Sequence, residues 1–255
     1  MKKIMLATLM MLLVASVAYA AVDNVFEVAV INYTGDVQVD SKGDGTWIKP
    51  WVGMKLMQGA KIKTSGGAWI EVVYDAEGLN VLKLEEKTDF VVGDFGGELP
   101  GGGCLGNFAN INPGSEFIVK TPTAACAIRG STFGFFFDRI AKITRARAFR
   151  GGVFIYGLDA NGNTIRGVAQ FTVPQGIQVQ IRAGKKVSEL TYIDKPLTEA
   201  QMVAVQLWVQ SIGQPWGTEV DVEAAEAEVK KQLKEIEDDI DPKDLDEEKG
   251  ISPSS

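Results

Sequence analysis

The residue types able to do chemistry are few here, and what is missing decides more than what is present. Histidine is absent from all 255 residues, which removes the commonest general base and the commonest metal ligand together. The two cysteines, Cys104 and Cys126, cannot complete a structural zinc site without imidazoles or further thiolates, so no metal and no cofactor is expected. Cys126 also lacks a base that would activate it as a nucleophile. The carboxylate pairs Glu85–Glu86 and Asp238–Asp239 are adjacent in sequence and point to opposite or exposed directions, unlike the facing pair of a glycosidase. No Ser-x-x-Lys precedes a helix. Enzyme is the least expected class.

Charge narrows the partners. The net charge of −7 is uneven: residues 218–255 hold fourteen Asp/Glu against five Lys, so the rest of the chain is close to neutral. A neutral body with an acidic tail offers no footprint for nucleic acid, which needs clustered Lys and Arg. The nearest basic cluster is Arg139, Lys142, Arg145, Arg147 and Arg150, read as one solvated sheet face. The glycine-rich residues 93–114 lack a Gly-Lys-Ser/Thr ending and a following helix, so a phosphate cradle is not supported. That stretch reads as a long loop.

The elements that would position these groups are mostly strands. Short alternating apolar runs fall at residues 25–33, 37–39, 68–74, 81–84, 117–120, 132–137, 142–149, 153–157, 164–168 and 177–182. Gly-, Asp- and Asn-rich turns separate several of them, as at residues 43–45, 75–78 and 159–163. Many short strands at close spacing predict an all-β domain, sandwich or solenoid-like, over residues 21–195. A helical segment follows over 196–240. Thr198 and Gln201 form a capping box, with Met202, Val205, Val209 and Ile212 on one face, Trp208 at its border and Gly213 as the stop. A second helix is predicted from Val220 to Ile240, with apolar positions Val222, Ala225, Val229, Leu233, Ile236 and Ile240. Residues 241–255 are expected to be a disordered acidic tail.

Residues 1–20 have the three parts of a signal peptide. Lys2 and Lys3 are followed by an apolar run from Ile4 to Val17 and by Ala18-Tyr19-Ala20 as a small-x-small cleavage site. The expected product is periplasmic or secreted, with no membrane span after cleavage. Export would permit a Cys104–Cys126 disulfide, closing a loop of about twenty residues and contributing roughly 3 kcal/mol; two unlinked thiols are the alternative.

Residues Phe117-Ile118-Val119-Lys120-Thr121-Pro122-Thr123-Ala124-Ala125-Cys126-Ala127-Ile128-Arg129-Gly130-Ser131-Thr132-Phe133 resemble the signature of the FecR domain family. In that family an extended run enters a Thr-Pro-small stretch and then Arg-Gly-Thr-x-Phe. The resemblance extends over most of residues 30–190, from Gly35-Asp36-Val37 through Ile62-Lys63-Thr64 to Arg150-Gly151-Gly152-Val153. Ser131 stands where Thr is usual, and Cys126 where a small apolar residue is usual. The resemblance implies a compact β-domain that senses or docks outside the cytoplasm, and it does not imply iron binding. Family members that relay signals carry a cytoplasmic segment before a membrane span, which is not expected here.

The expected function is therefore a binding, sensing or scaffolding module for a protein partner. An envelope or filament subunit, or an envelope-glycan binder, is the alternative. Trp47, Trp51 and Trp69 either anchor the core between sheets or form a recognition patch. Thr121, Pro122, Arg129, Gly130 and Phe133 are assigned a structural role: Arg129 would satisfy turn carbonyls or a carboxylate, and Gly130 would need positive φ or a close backbone approach. Intact-mass measurement of the exported protein should give a chain beginning at Ala21. Retention of residues 1–20 would instead indicate a membrane anchor.

Overall fold

The structure, a computed structural model, describes residues 28–109, 111, 115–158, 162, 164–182, 195–212, 214 and 220–239. The signal-peptide residues, the acidic tail, Gly213 and Ile240 lie outside them. The first strands are β1 (Val28–Thr34), β2 (Val37–Asp40), β3 (Lys55–Leu56), β4 (Lys61–Thr64), β5 (Trp69–Val73) and β6 (Asn80–Leu84). Then come β7 (Asp89–Val92), β8 (Gly96–Phe108), β9 (Phe117–Lys120), β10 (Ala125–Ile128) and β11 (Ser131–Asp138). The last are β12 (Ile143–Arg150), β13 (Val153–Leu158), β14 (Thr164–Val173), β15 (Ile177–Arg182) and β16 (Lys195–Pro196). Helices α1 (Glu199–Ser211) and α2 (Val222–Asp239) follow.

The all-β body is a sandwich, and every predicted strand is present. One sheet runs β3-β1-β5-β6-β8-β11-β12-β15-β16. The other runs β2-β4-β7-β8-β9-β10-β13-β14. All pairings are antiparallel except β8 with β9. Alternation does the packing, since successive residues of a strand face opposite sides. Inward residues of both sheets, including Ile70, Leu82, Phe108, Phe133 and Phe135 from the first and Ile62, Phe90, Phe117 and Ile155 from the second, form one core cluster. Phe108, Phe117 and Phe133 stack at its centre, with Phe108 and Phe117 ring centroids 4.2 Å apart.

Strand β8 appears in both sheets. Residues 93–114 are thus not the long loop that their glycines suggest. Gly96, Gly97 and Glu98 pair with β9, and residues from Gly102 to Phe108 pair with β11. The change of sheet falls at Gly101-Gly102-Gly103, where Gly102 has φ +89°. Thr88 Oγ1 sits in that bend, donating to Gly103 O at 3.0 Å and accepting from Gly103 N at 2.9 Å. The ladder interrupted by the bend is thereby kept satisfied. Glycine is required by close approach as much as by φ. A Cβ on Gly106 would fall inside the Phe133 ring, and one on Gly97 would fall on Phe90 and the Val91 carbonyl.

The helices cover part of the first sheet's outer face. The capping box of Thr198 and Gln201 is formed. Met202, Val205 and Trp208 of α1 and Val229 of α2 pack on Val73, Val81 and Phe149. Trp208 is buried rather than at the border of the apolar face, because its Nε1 donates to the buried Glu71 Oε1 at 2.7 Å. Val222 is half exposed, and burial in α2 centres on Ala225, Val229 and Gln232. Among the described residues no helix is long and apolar enough to cross a membrane.

Gly106→Ala should lower stability by about 1–3 kcal/mol, the usual range for overpacking. Gly66→Ala, where a Cβ meets nothing nearer than 3.5 Å, should stay within about 0.5 kcal/mol of the parent. Urea midpoints of the two variants test this, and equal losses would mean that β8 has room to move.

Candidate functional site

The segment carrying the family resemblance is the β9–β10 hairpin of the second sheet and the turn at Arg129-Gly130 that takes the chain across to β11 of the first. Strands β9 and β10 are joined through Thr121-Pro122-Thr123-Ala124, with Thr121 N donating to Ala124 O at 2.8 Å. Thr121 Oγ1 also donates to Ala124 O at 3.0 Å and lies 2.6 Å from Thr144 Oγ1 on β12, in the opposite sheet. Thr123 Oγ1 reaches the same Thr144 hydroxyl at 2.5 Å. These hydroxyls are a polar staple across one end of the sandwich. Phe133, at the other end of the motif, is fully buried in the aromatic core. Pro122 is exposed.

Of the two partners expected for Arg129, turn carbonyls or a carboxylate, the described residues show the carboxylate. Arg129 Nε and one terminal nitrogen donate to Glu116 Oε1 at 3.0 and 2.8 Å, and its guanidinium lies over the Phe154 ring, 4.9 Å from the centroid. Tyr156 OH donates to the same oxygen at 3.1 Å. The hydrogen bonds and charge of Glu116 push the Arg129 pKa up further. The Arg129 side chain is 61% exposed, whereas Glu116 is 9% exposed, so the pair is a lid over a carboxylate rather than an internal brace. Gly130 has φ +141°, and a Cβ there would meet no atom closer than 3.9 Å, so backbone conformation rather than crowding calls for glycine. Ser131 Oγ donates to Gly152 O at 2.8 Å, tying this turn to the one before β13.

Cys104 and Cys126 are free thiols, fully buried in the same core cluster. The disulfide that export would permit is not formed. They project into the core from opposite sheets, Cys104 from β8 where it pairs in the first and Cys126 from β10 in the second. Burial pushes both thiols well up; the Glu85 charge adds to the rise at Cys104, and Cys104 adds to it at Cys126. Among the described residues no group of three or more His, Cys, Asp or Glu could hold a metal ion. Glu86 accepts from Gly67 N at 2.7 Å in a turn, and Glu85 lies on the outer face of the first sheet. The basic cluster divides: Arg145 and Arg147 share one face of β12, whereas Arg139 pairs with Asp89 beside the bend of β8.

Trp47, Trp51 and Trp69 lie at the surface, and none of the three belongs to the core. Trp47 lies under Lys63 at 4.6 Å, Trp69 under Lys83 at 4.5 Å, and Trp51 is 56% exposed. Four of the seven exposed large hydrophobics among the described residues, Ile48, Trp51, Val52 and Met57, fall in the connection between β2 and β4. The connection is anchored rather than loose. Gly53 N donates to Val30 O at 2.7 Å, Met54 N to Trp51 O at 3.1 Å, and Met57 N to Ser41 O at 3.0 Å. Beside it runs β2, whose only ladder partner among the described strands is β4. On its outer side Val39 exchanges both backbone bonds with Ile48, at 2.8 and 2.9 Å. Val37, two residues back and so facing the same side, opens onto a cleft lined by Asp36, Gln38, Trp47, Ile48 and Lys49. Periodicity gives no sign of this arrangement, since the exposed residues lie in a connection.

No family model matches the chain, and no curated protein matches it. Among solved structures it is similar to two crystal structures, at 1.65 and 2.50 Å, of a candidate anti-sigma factor from Parabacteroides distasonis ATCC 8503. Each shares 16% identity at a TM-score of 0.43, over 59% of this chain. The chain spans 64% of that protein's length, less than two thirds.

Arg129→Ala should leave the melting temperature within scatter of the parent, because the side chain it removes is mostly solvated. Gly130→Val should cost about 1–3 kcal/mol through backbone strain. A large fall for Arg129→Ala in thermal melts would show that the Glu116 carboxylate depends on its lid.

Proposed function

We propose that this chain is an exported, non-enzymatic binding module of the FecR type, which docks a protein partner along the outer edge of β2 and the anchored connection beside it. The observation that carries the reading is the presentation of Ile48, Trp51, Val52 and Met57 on a backbone pinned to β1 and to Ser41. Large apolar side chains held rigidly in water lose little further freedom on binding, and aromatic residues of this kind dominate interface energetics. The adjacent edge supplies a second element. A strand lying beside Val37 would continue the single bridge made by Ile48 and gain main-chain hydrogen bonds, with Trp47 beside it. Export rests on the N-terminal pattern of Lys2, Lys3, the apolar run and Ala18-Tyr19-Ala20. The non-enzymatic reading is supported by two thiols sealed in the core and by the absence of histidine from the sequence.

Tagged protein beginning at Ala21 should capture a defined partner from its own envelope fraction. Trp51→Ser and Met57→Lys should each weaken that capture by about 2 kcal/mol, the scale of an interface hot spot, while melting temperatures stay unchanged. Undiminished capture by both folded variants would exclude this face. Concentration-dependent self-assembly lost in the same variants would favour the structural-subunit reading.

A further inference from the structure

The outer face of the first sheet carries a second feature, away from β2. The register aligns Glu71, Lys83, Leu105, Gly134, Arg147 and Gln178 across β5, β6, β8, β11, β12 and β15. The next row holds Gly103, Phe136, Arg145 and Gln180, with Glu85 bonded through its backbone to Gly103 O at 2.9 Å. Helix α1 covers this face from one side, and its Trp208 occupies Glu71. What remains open is a pocket of about 180 Å³ between Glu85 and the two arginines.

Two glycines let neighbouring side chains lie over bare backbone here. A Cβ on Gly103 would fall on Glu85 Oε2, and one on Gly134 would press on Leu105 and Phe149 at 3.1 and 3.2 Å. Glu85 therefore lies over β8, and the space beside it is floored by backbone and walled by Leu105 and Phe136. The charged groups at its ends are underused. Among the described residues the Glu85 carboxylate accepts no hydrogen bond and has no cation within ion-pair distance. Among the described residues Arg147 bonds only through Nε, to Gln178 Oε1 at 2.6 Å, which orients the guanidinium. Arg145 is stacked on Phe136 at 5.4 Å; its charge helps to hold the Asp138 carboxyl below its ordinary pKa, without an ion pair among the described residues. Burial holds the Glu85 carboxyl above its ordinary pKa, with Arg147 and then Lys83 opposing that rise and Glu86 adding to it. Glu85 and Arg147 thus attract each other across the gap without touching.

From these juxtapositions we propose that the pocket binds a small zwitterion, a free α-amino acid with an apolar side chain, its ammonium on Glu85, its carboxylate on Arg147 and Arg145, and its side chain against Leu105 and Phe136. Glu85 reaches over β8 from β6 and the arginines stand on β12 beyond β11, so opposite charges face the pocket from its two ends. A simple anion would use the arginines and leave Glu85 repelled. A simple cation would do the reverse. This site is independent of the docking face on β2, and either can fail without the other.

Isothermal titration of the whole mature protein with L-leucine and L-phenylalanine should show one saturable site, and at least one of the two should raise the melting temperature. N-acetyl-leucine and leucine amide, each lacking one charge, should bind at least about tenfold more weakly, as should the parent amino acid to Glu85→Gln and Arg147→Gln, since each loses a charge-assisted hydrogen bond. Circular dichroism and melting of the two variants without ligand, together with the rim variant Arg145→Gln, separate lost binding from lost folding. Binding of inorganic phosphate or N-acetyl-leucine as tight as that of leucine would overturn the proposal in favour of a plain anion site. No heat and no shift with either amino acid would overturn it outright.

Discussion

The sandwich depends on a strand that can belong to two sheets at once, and that in turn depends on missing side chains. A continuous strand can leave one ladder and enter another only where the backbone bends sharply and neighbours come close. Gly101, Gly102 and Gly103 provide the bend, and Gly97 and Gly106 admit Phe90 and Phe133 against bare backbone. The bend would orphan polar groups in a dry interior, at a cost of about 1–3 kcal/mol each. Thr88 removes that cost by bonding both backbone groups of Gly103 through one hydroxyl. Thr64 makes the matching connection one strand away, accepting from Thr88 N at 2.9 Å. Composition, backbone geometry and polar satisfaction agree at this one place, and both sheets are joined through it.

With the sheets fixed to each other, the two outer faces acquire different fates. On the second sheet, Ala125 and Ala127 are closed over by Tyr156, with Ile118, Phe154 and Leu158 around them, and Arg129 and Glu116 complete the cover. On the first sheet the helices bury Val73, Val81 and Phe149 but stop short of Glu85 and Arg147. The limit of that cover is set by a polar contact. Trp208 is drawn to Glu71, and Lys83 lies between its ring at 6.0 Å and that of Trp69 at 4.5 Å. A helix seated by apolar contacts alone would be free to slide along the sheet; the indole–carboxylate bond gives it one register.

How far the sequence discloses this follows from which signal each element leaves. Strands buried on one face, such as β9, β12 and β15, alternate visibly and are legible, as are the capping box of α1 and the β-domain itself. Strand β8 is not legible, because its alternation is written in glycine against glycine, and hydropathy cannot distinguish a side chain omitted for space from one omitted for flexibility. Strands β3, β4 and β7 are too short for period-two alternation to stand out from their turns. Periodicity puts Trp208 at the edge of its helix because it scores an indole only as apolar or not; it cannot see that Glu71, far back in the chain, will meet the ring nitrogen. The docking face and the Glu85–Arg147 pocket share that blindness. One is defined by where a connection is anchored, and the other by register across strands distant in sequence.

The residues that make the sequence resemble a known family are for the most part spent on contacts within the fold. Thr121 and Thr123 are occupied with Thr144, Ser131 with Gly152, and Phe133 with the aromatic core. Arg129, the most reactive-looking member, is already engaged twice by Glu116 and stacked on Phe154. Thr121, Thr123, Ser131 and Phe133 are committed to contacts within the sandwich, and Arg129 is spent on Glu116 at its surface. A motif of this kind would persist because the architecture needs it, whatever the domain binds. The two proposed sites use positions that the architecture leaves unengaged: side chains in water on a pinned backbone, as at Trp51 and Met57, and charges facing a gap, as at Glu85 and Arg147. Such positions can vary without disturbing the bend of β8 or the threonine staple, which is how one framework can serve different partners.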